Sequence, residues 1–215
     1  MALQLYFHPL SSYCHKVLIA LYENATPFEP VLVDLSDQRQ RDDLKKLWPI
    51  GKFPVLRDTA ADRVVPEACI IIEYLAQHHP GHTALVPRDP DLARQTRMRD
   101  RFFDLYVNDP VGKIVTDRLR PPGQGDALGV EQAKATLRTA YAMVEEDMAT
   151  KAWAMGDAFT MADCAAAPAL FYANLVLPFG ETQRNVATYL GRLVERPSVA
   201  RVLAEAKPYL ALMPK

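Results

Sequence analysis

The stretch Ser11-Ser12-Tyr13-Cys14 lies where a short apolar strand gives way to a helix, and this junction decides how the chain is interpreted. Apolar and aromatic residues fill Leu3–Phe7, and apolar residues then recur at helical spacing over Ser12–Glu23. A helix start presents unpaired N–H groups, which stabilise an anion together with the helix dipole. The stretch therefore predicts either a serine N-cap or a site for a thiolate, carboxylate or phosphate, and the local sequence alone favours the N-cap.

This helix is the centre of a strand-helix-strand unit, and Lys16 and Glu23 on it are expected to face water. Residues 28–33 alternate and are rich in valine, which predicts a strand parallel to the first and reached by a right-handed crossover. A polar helix at 37–47, a hairpin of strands 54–56 and 63–65, and a helix from 66 to about 80 follow. The front of the chain is thus predicted to be a βαβαββα unit.

A proline-containing segment, 81–90, is the clearest linker in the sequence and predicts a domain boundary. We therefore expect one domain over 1–80 and a second, all-helical domain over 91–215. Its helices are predicted at 91–119, 129–150, 183–195 and 198–206, with a buried core helix over 164–179. Thr160-Met161-Ala162-Asp163 has the pattern of a capping box, which we interpret as structural.

Composition narrows the possible classes of function. The chain has 215 residues, of which 24% are charged, and its formal net charge is -1, so no bulk basic field attracts nucleic acid or an anionic membrane. Cys14, Cys69 and Cys164 are widely separated and odd in number, which argues against a disulfide framework. The first seven residues lack the basic lead of a signal peptide. We expect a cytoplasmic protein without a metal, because its histidines lack partners at metal-ligand spacing.

The order and spacing of these features resemble the cytosolic glutathione transferases over essentially the whole chain. The resemblance implies an α/β thioredoxin-like front domain, an all-α C-terminal domain, glutathione as cosubstrate and a homodimer. It also implies a serine-type enzyme, theta-like or zeta-like, in which a hydroxyl binds the sulfur of glutathione. Thioredoxin-like redox proteins carry Cys-x-x-Cys at this position, whereas Ser11 and Cys14 cannot form that disulfide.

The resemblance assigns the sulfur contact to Ser11, with Ser12 as the alternative and Tyr13 as a weaker one. Tyr6, on the first strand, fits the tyrosine-type classes less well, and Cys14 is interpreted as a packing residue. Catalysis would then consist of thiolate activation and proximity, without a covalent enzyme intermediate.

Two further motifs are assigned to glutathione by the resemblance. In Lys52-Phe53-Pro54 the X-Pro bond is expected to be cis, which turns the Phe53 backbone toward the cysteinyl part of the peptide. Lys52 fits the glycyl carboxylate, and Glu67 fits the γ-glutamyl ammonium. Without a ligand, these two would be a solvated loop lysine and a favourable first-turn acid. Ala68 replaces the usual serine, and the lost hydroxyl predicts about tenfold weaker binding.

The resemblance also implies that the acceptor site is built from the first helix of the second domain, although aromatic residues at such spacing are more often core. Its candidate wall consists of Phe102, Phe103, Tyr106 and Asn108. The same helix is expected to carry a solvated or subunit-facing charged surface. That surface consists of Arg94, Arg97, Arg101, Asp100 and Asp104.

The predicted function is a glutathione S-transferase that directs the thiolate against a small hydrophobic electrophile, by conjugation, peroxide reduction or isomerisation. Two alternatives stay open. Ala68 motivates a transferase-like binding or regulatory protein with little turnover, and Cys14 motivates a glutathione-dependent thiol oxidoreductase. No motif identifies the electrophile, because such pockets are built from scattered apolar side chains.

Overall fold

The structure is a computed structural model that describes residues 2–214, and its front part is built on a four-stranded sheet. The strands are β1 (Leu3–Phe7), β2 (Glu29–Leu32), β3 (Val55–Asp58) and β4 (Arg63–Pro66), and the helices are α1 (Ser12–Glu23), α2 (Gln38–Leu47) and α3 (Ala68–His78). The sheet order is β2-β1-β3-β4, with β1 parallel to β2 and the other pairs antiparallel. The predicted βαβαββα unit, its parallel crossover and its hairpin are confirmed.

The second part of the chain is helical from residue 90 onward. It consists of α4 (Pro90–Phe102), a π-helical turn (Phe103–Asn108), α5 (Asp109–Asp117), α6 (Ala127–Met148), α7 (Met161–Val176), α8 (Arg184–Glu195), α9 (Pro197–Ala206) and a 3₁₀ segment (Lys207–Leu212). The helix predicted over 91–119 is one continuous helical run, but the π-helical turn in its middle was not predicted. Across residues 2–214, no helix combines the length and apolar character that a bilayer span needs.

The capping box at the start of α7 is confirmed. The Thr160 N–H donates to Asp163 Oδ2 at 2.8 Å, and the Ala162 N–H donates to Thr160 Oγ1 at 3.3 Å. Asp163 is fully buried, and its Oδ1 also accepts from the Ala154 N–H at 2.8 Å and from the Tyr189 hydroxyl at 2.6 Å. Because these bonds satisfy a carboxylate inside the core, the box is structural.

Helix α1 lies between the sheet domain and the helical domain. Its residues are buried without a break from Cys14 to Leu21, which is the pattern of a helix that is covered all round. It packs against α3 of its own domain and against α7 and α9 of the second domain. Side chains at its start therefore face the junction between the two domains.

Lys16 and Glu23, predicted to face water, are buried instead, with 1% and 8% of their surface exposed. The prediction was wrong because the helical domain covers α1. The Glu23 carboxylate pairs with the Arg196 guanidinium and accepts hydrogen bonds from Ser198 Oγ at 2.7 Å and from Thr83 Oγ1 at 3.0 Å. Burial alone would raise the pKa of Glu23, but these partners hold it below its usual value.

Lys16 pairs with two residues that were predicted to lie on the charged surface of α4. Its ammonium is 2.7 Å from Asp100 Oδ1 and 2.7 Å from Asp104 Oδ2. Both aspartates are buried, so the surface prediction was wrong for them, whereas the three arginines of that prediction are exposed. The two aspartates turn inward because they neutralise the buried ammonium of the neighbouring domain.

Candidate active site

Helix α1 begins at a serine cap. Ser11 has extended backbone angles, and its Oγ accepts a hydrogen bond from the Cys14 N–H at 3.3 Å. The Ser11 N–H donates to the His8 carbonyl at 3.0 Å, which closes the turn between β1 and α1. A capping hydroxyl uses only a lone pair, so the Ser11 hydroxyl hydrogen can still be donated to a ligand.

Cys14 is a packing residue, as predicted. Its side chain is fully buried, and this burial raises the pKa of Cys14 to about 12, although a hydrogen bond involving Ser11 opposes the shift. At neutral pH the group is therefore a protonated thiol without access to solvent. Cysteine attacks as a thiolate, so Cys14 is a poor nucleophile in this position.

A cavity of about 300 Å³, which we call the front cavity, lies beside the start of α1. It is lined by Tyr13, Trp48, Lys52, Phe53, Pro54, Glu67, Ala68, Cys69, Arg101, Asp104, Leu105 and Asp109. All five residues that the sequence assigned to glutathione meet at this one cavity, from the loop before β3 and from the start of α3. Ser11 and Ser12 are not among the residues that line it.

The loop before β3 carries the expected cis bond between Phe53 and Pro54. The Phe53 ring stacks on His8, with ring centroids 6.0 Å apart and an angle of 18° between the planes. His8 Nδ1 accepts a hydrogen bond from the Leu10 N–H at 3.2 Å, and burial lowers the pKa of His8. Phe53 is thus held against the same turn that carries Ser11.

The start of α3 has an unusual backbone. Glu67 has φ at +71°, a left-handed conformation that costs roughly 1–3 kcal/mol for a residue with a side chain and tends to occur at ligand sites. Its exposed side chain makes no capping hydrogen bond to the helix. Ala68 is the first residue of α3 and is buried, and its backbone N–H belongs to the unpaired first turn. A carboxylate and a helix-start amide therefore stand side by side at the cavity wall.

A second cavity of about 500 Å³, which we call the rear cavity, adjoins the front cavity. It is lined by Leu10, Ser12, Tyr13, Asn108, Asp109, Val111, Gly112, Val115, Thr116, Tyr172, Leu212, Met213 and Pro214. These residues come from the start of α1, from α5 and α7, and from the end of the chain, so the rear cavity lies between the domains. Its wall is largely apolar.

Tyr13 and Asp109 line both cavities and so separate them. The Tyr13 hydroxyl donates to Asp109 Oδ1 at 2.9 Å, which joins the start of α1 to the start of α5. Burial raises the pKa of Tyr13 well above its usual value, so the phenol stays protonated and remains a donor.

The four predicted acceptor residues do not share one location. Asn108 lines the rear cavity. Phe102 and Phe103 are buried in the core, with 5% and 2% exposure, and neither lines the front or the rear cavity. Tyr106 is 52% exposed and lies with Phe102 at a groove between α4 and α6 on the outer face. Phe102 and Phe103, which were candidates because the resemblance places the acceptor site on this helix, thus lie in the core, as aromatic residues at helical spacing commonly do.

Residues 5–83 match the family "Glutathione S-transferase, N-terminal domain", and residues 127–205 match the family "Glutathione S-transferase, C-terminal domain". The chain belongs to the glutathione S-transferase family. Glutathione S-transferase GstB of Escherichia coli is 25% identical over 87% of this chain and 91% of its own length. A crystal structure of a glutathione S-transferase from Methylobacterium radiotolerans, in complex with glutathione sulfonate, has a TM-score of 0.79 at 28% identity and 93% coverage of each chain.

The family match extends to a relative with a different name. FtsZ-localized protein A of Caulobacter vibrioides is 28% identical over 96% of this chain and 93% of its own length. A similarity of this size therefore does not by itself identify the reaction.

In this glutathione S-transferase family chain, a charged group extends from the wall of the front cavity, which includes Cys69 and Asp104, into the protein interior. The donor atoms of Cys69, Asp100 and Asp104 lie within 4.8 Å of one another, a spacing that a metal ion could use. The Lys16 ammonium, at 2.7 Å from both carboxylates, supplies the cation of this group. Burial raises the pKa of Asp100 to about 6, although Lys16 opposes the shift.

Sequence reasoning missed part of the rear cavity. Asp109 reaches it because the preceding backbone is π-helical, which no pattern in the sequence indicates. Leu212 and Met213 reach it from the end of the chain, where the sequence carries no motif. The sequence does indicate that Val111 and Val115 form an apolar pair, because they lie four residues apart on one helical face.

Proposed function

We propose that this chain is a glutathione transferase that binds glutathione in the front cavity and attacks a small apolar electrophile held in the rear cavity. The observation that carries the proposal is the meeting of Lys52, Phe53, Pro54, Glu67 and Ala68 around one cavity beside the Ser11 cap. Family membership supports glutathione as the cosubstrate.

Each residue of the front cavity has a distinct chemical task in this proposal. Glu67 pairs with the γ-glutamyl ammonium, and the Ala68 N–H donates to the γ-glutamyl carboxylate. The Phe53 backbone pairs with the cysteinyl unit like an added strand, and Lys52 pairs with the glycyl carboxylate. Because Ala68 has no hydroxyl, we expect binding about tenfold weaker than a serine would give.

Ser11 is proposed to hold the thiolate. Lowering a thiol pKa by two units from about 8.5 requires about 2.7 kcal/mol of preferential stabilisation of the thiolate. A hydrogen bond to a charged group contributes roughly 1.5–3 kcal/mol, and a helix N-terminus contributes about 0.3–1 kcal/mol. Neither Ser11 nor Ser12 lines the front cavity, whereas Tyr13 does, so a variant series must separate these three candidates.

The proposed chemistry needs no covalent intermediate on the protein. The thiol proton leaves to solvent, and the thiolate sulfur then attacks an electrophilic carbon. The carbon–sulfur bond forms while the bond to the leaving group breaks. The two adjoining cavities bring both reactants together, which supplies proximity and orientation.

We also propose a homodimer in the cytoplasm. The outer face of α4 and the π-helical turn exposes Met98, Leu105 and Tyr106 by 53%, 45% and 52%, and a second copy would cover this apolar face. The three free cysteines are consistent with a reducing compartment. Light scattering of the purified chain tests the dimer, and a monomer at micromolar concentration contradicts it.

The two alternative functions, a regulatory protein and a thiol oxidoreductase, are not equally supported. A binding or regulatory protein with little turnover is favoured by Ala68 and by the similarity to FtsZ-localized protein A. Thiol exchange through Cys14 is disfavoured, because that thiol is buried and its pKa is raised to about 12. If Cys14→Ser abolishes disulfide reduction while Ser11→Ala leaves conjugation unchanged, the result would support thiol exchange through Cys14.

The deciding experiment combines calorimetry with a conjugation assay. We expect glutathione to bind with a millimolar or lower Kd, and the protein to accelerate conjugation of 1-chloro-2,4-dinitrobenzene above the uncatalysed rate. Binding without acceleration across aryl halides, epoxides, hydroperoxides and isomerisable diketo acids would favour the regulatory alternative. Absence of glutathione binding contradicts the transferase.

A further inference from the structure

The rear cavity carries a negative charge beside the point where it meets the front cavity. Of the thirteen described residues that line it, Asp109 alone is charged, and most of the others are apolar. Asp109 also lines the front cavity, so its carboxylate stands at the boundary between the proposed binding sites of the two reactants.

The fold holds Asp109 in this place by three means. The Tyr13 hydroxyl donates to its Oδ1 at 2.9 Å, from the helix that Ser11 caps. Asp109 lies in the first turn of α5, where the helix dipole favours a carboxylate. The Asp109 N–H bonds to the Asp104 carbonyl, five residues earlier, as a π-helical turn requires. Residues five apart then share a face, which is why Asp104 and Asp109 both reach the front cavity.

The cations of the site are on the other side of this boundary. Lys52 and Arg101 line the front cavity, where glutathione would place its carboxylates. Within the described part of the chain, no lysine or arginine lines the rear cavity. An acceptor that carries a carboxylate would therefore meet Asp109 and the glutathione thiolate without a lysine or arginine among the described lining residues. Arg118, which donates to the Pro214 carbonyl at 3.2 Å, does not line the cavity itself.

We propose that Asp109 selects acceptors by charge, so that the rear cavity takes neutral or cationic apolar electrophiles and rejects those that carry a carboxylate. This inference rests on the proposed transferase function and narrows its substrate class. It places aryl halides and epoxides among the acceptors and diketo acids outside them. The physical basis is like-charge repulsion between an acceptor carboxylate and the Asp109 carboxylate, which is exposed where the two cavities meet.

The test uses two acceptors that differ by one carboxylate. These are 1-chloro-2,6-dinitrobenzene and 4-chloro-3,5-dinitrobenzoate, in both of which the thiolate displaces chloride from a ring carbon. Each kcat/KM is divided by the uncatalysed rate constant for the same acceptor. We expect the wild-type protein to prefer the neutral acceptor by about tenfold or more.

Three variants separate charge from shape. Asp109→Asn keeps an oxygen that can accept from Tyr13 and should reduce the preference to about twofold. Asp109→Lys should reverse it. Asp91→Asn removes an exposed carboxylate on α4 that lines neither cavity, and it should leave the preference unchanged.

The outcomes distinguish this inference from the proposed function. Conjugation of both acceptors with equal preference in wild type and Asp109→Asn overturns the role of Asp109 and leaves the transferase intact. If neither acceptor is conjugated, the proposed function fails, and calorimetry with the two S-aryl glutathione products still tests the charge selection. Equal affinity of the wild-type protein for both products then overturns it.

Discussion

The front and rear cavities adjoin one another but are built in different ways. The front cavity is rich in charged groups and takes its proposed glutathione contacts from two short segments, one at Lys52 to Pro54 and one at Glu67 and Ala68. The rear cavity is largely apolar and takes its walls from α1, α5, α7 and the end of the chain. A cosubstrate of fixed chemistry is recognised by local motifs, whereas an acceptor site depends on how distant elements pack.

The largest effect is expected on protein stability, when the buried Lys16 is replaced. Replacing it as Lys16→Met leaves the buried carboxylates of Asp100 and Asp104 without their cation, so the free energy of unfolding should fall by about 3–5 kcal/mol. Urea unfolding measures this loss. Lys46→Met is the control, because Lys46 is exposed and its removal should cost less than about 0.5 kcal/mol. Equal stability of the two variants would refute the structural role of Lys16.

The next largest effect is expected on glutathione binding, and it tests whether the two cavities bind different reactants. Glu67→Gln removes the charge proposed for the γ-glutamyl ammonium, so the Kd for glutathione should rise about tenfold or more. The KM for the acceptor, measured at saturating glutathione, should change by less than about twofold because Glu67 does not line the rear cavity. Glu29→Gln on β2 is the matched control, since Glu29 lines neither cavity. An acceptor KM that rises in step with the glutathione Kd would mean that the cavities are not separate.

The smallest expected effect is a gain in glutathione affinity at the front cavity. Ala68→Ser restores a hydroxyl at the first residue of α3, and glutathione should bind about three- to tenfold more tightly. Calorimetry measures the change, with Ala127→Ser at the first residue of α6 as the control for adding a hydroxyl at a helix start. Unchanged or weaker binding in Ala68→Ser would show that glutathione does not use this position as proposed.

The sequence predicted the front half of this comparison better than the rear half. The strands, the serine cap and the capping box at Thr160 follow local patterns, and each is confirmed. The cis Phe53–Pro54 bond, which only the family resemblance implied, is also confirmed. The burial of Lys16 and Glu23 depends on a second domain that covers α1, which the local pattern of α1 cannot show. The π-helical turn that brings Asp109 to both cavities leaves no mark in composition or spacing.

The proposed site shows the same division. Lys52, Phe53 and Glu67 were assigned to glutathione through the family resemblance, whose motifs stand at fixed places in the chain, and the structure brings the three residues to one cavity. Phe102 and Phe103 were candidates because the resemblance places the acceptor site on their helix, and they lie in the core. Aromatic residues at helical spacing fit both a core and a pocket wall. Tertiary contacts alone distinguish the two cases.

Ser11 is proposed to lower the pKa of the glutathione thiol bound in the front cavity. The most direct measurement is a titration of the bound thiol by its thiolate absorbance in the ultraviolet. We predict that the wild-type complex titrates about two units below the 8.5 of a free thiol, and that Ser11→Ala returns it to about 8.5 while Ser12→Ala and Ser11→Thr keep the low value. A bound thiol that titrates near 8.5 in the wild-type protein, or a low value that survives Ser11→Ala, would contradict the account.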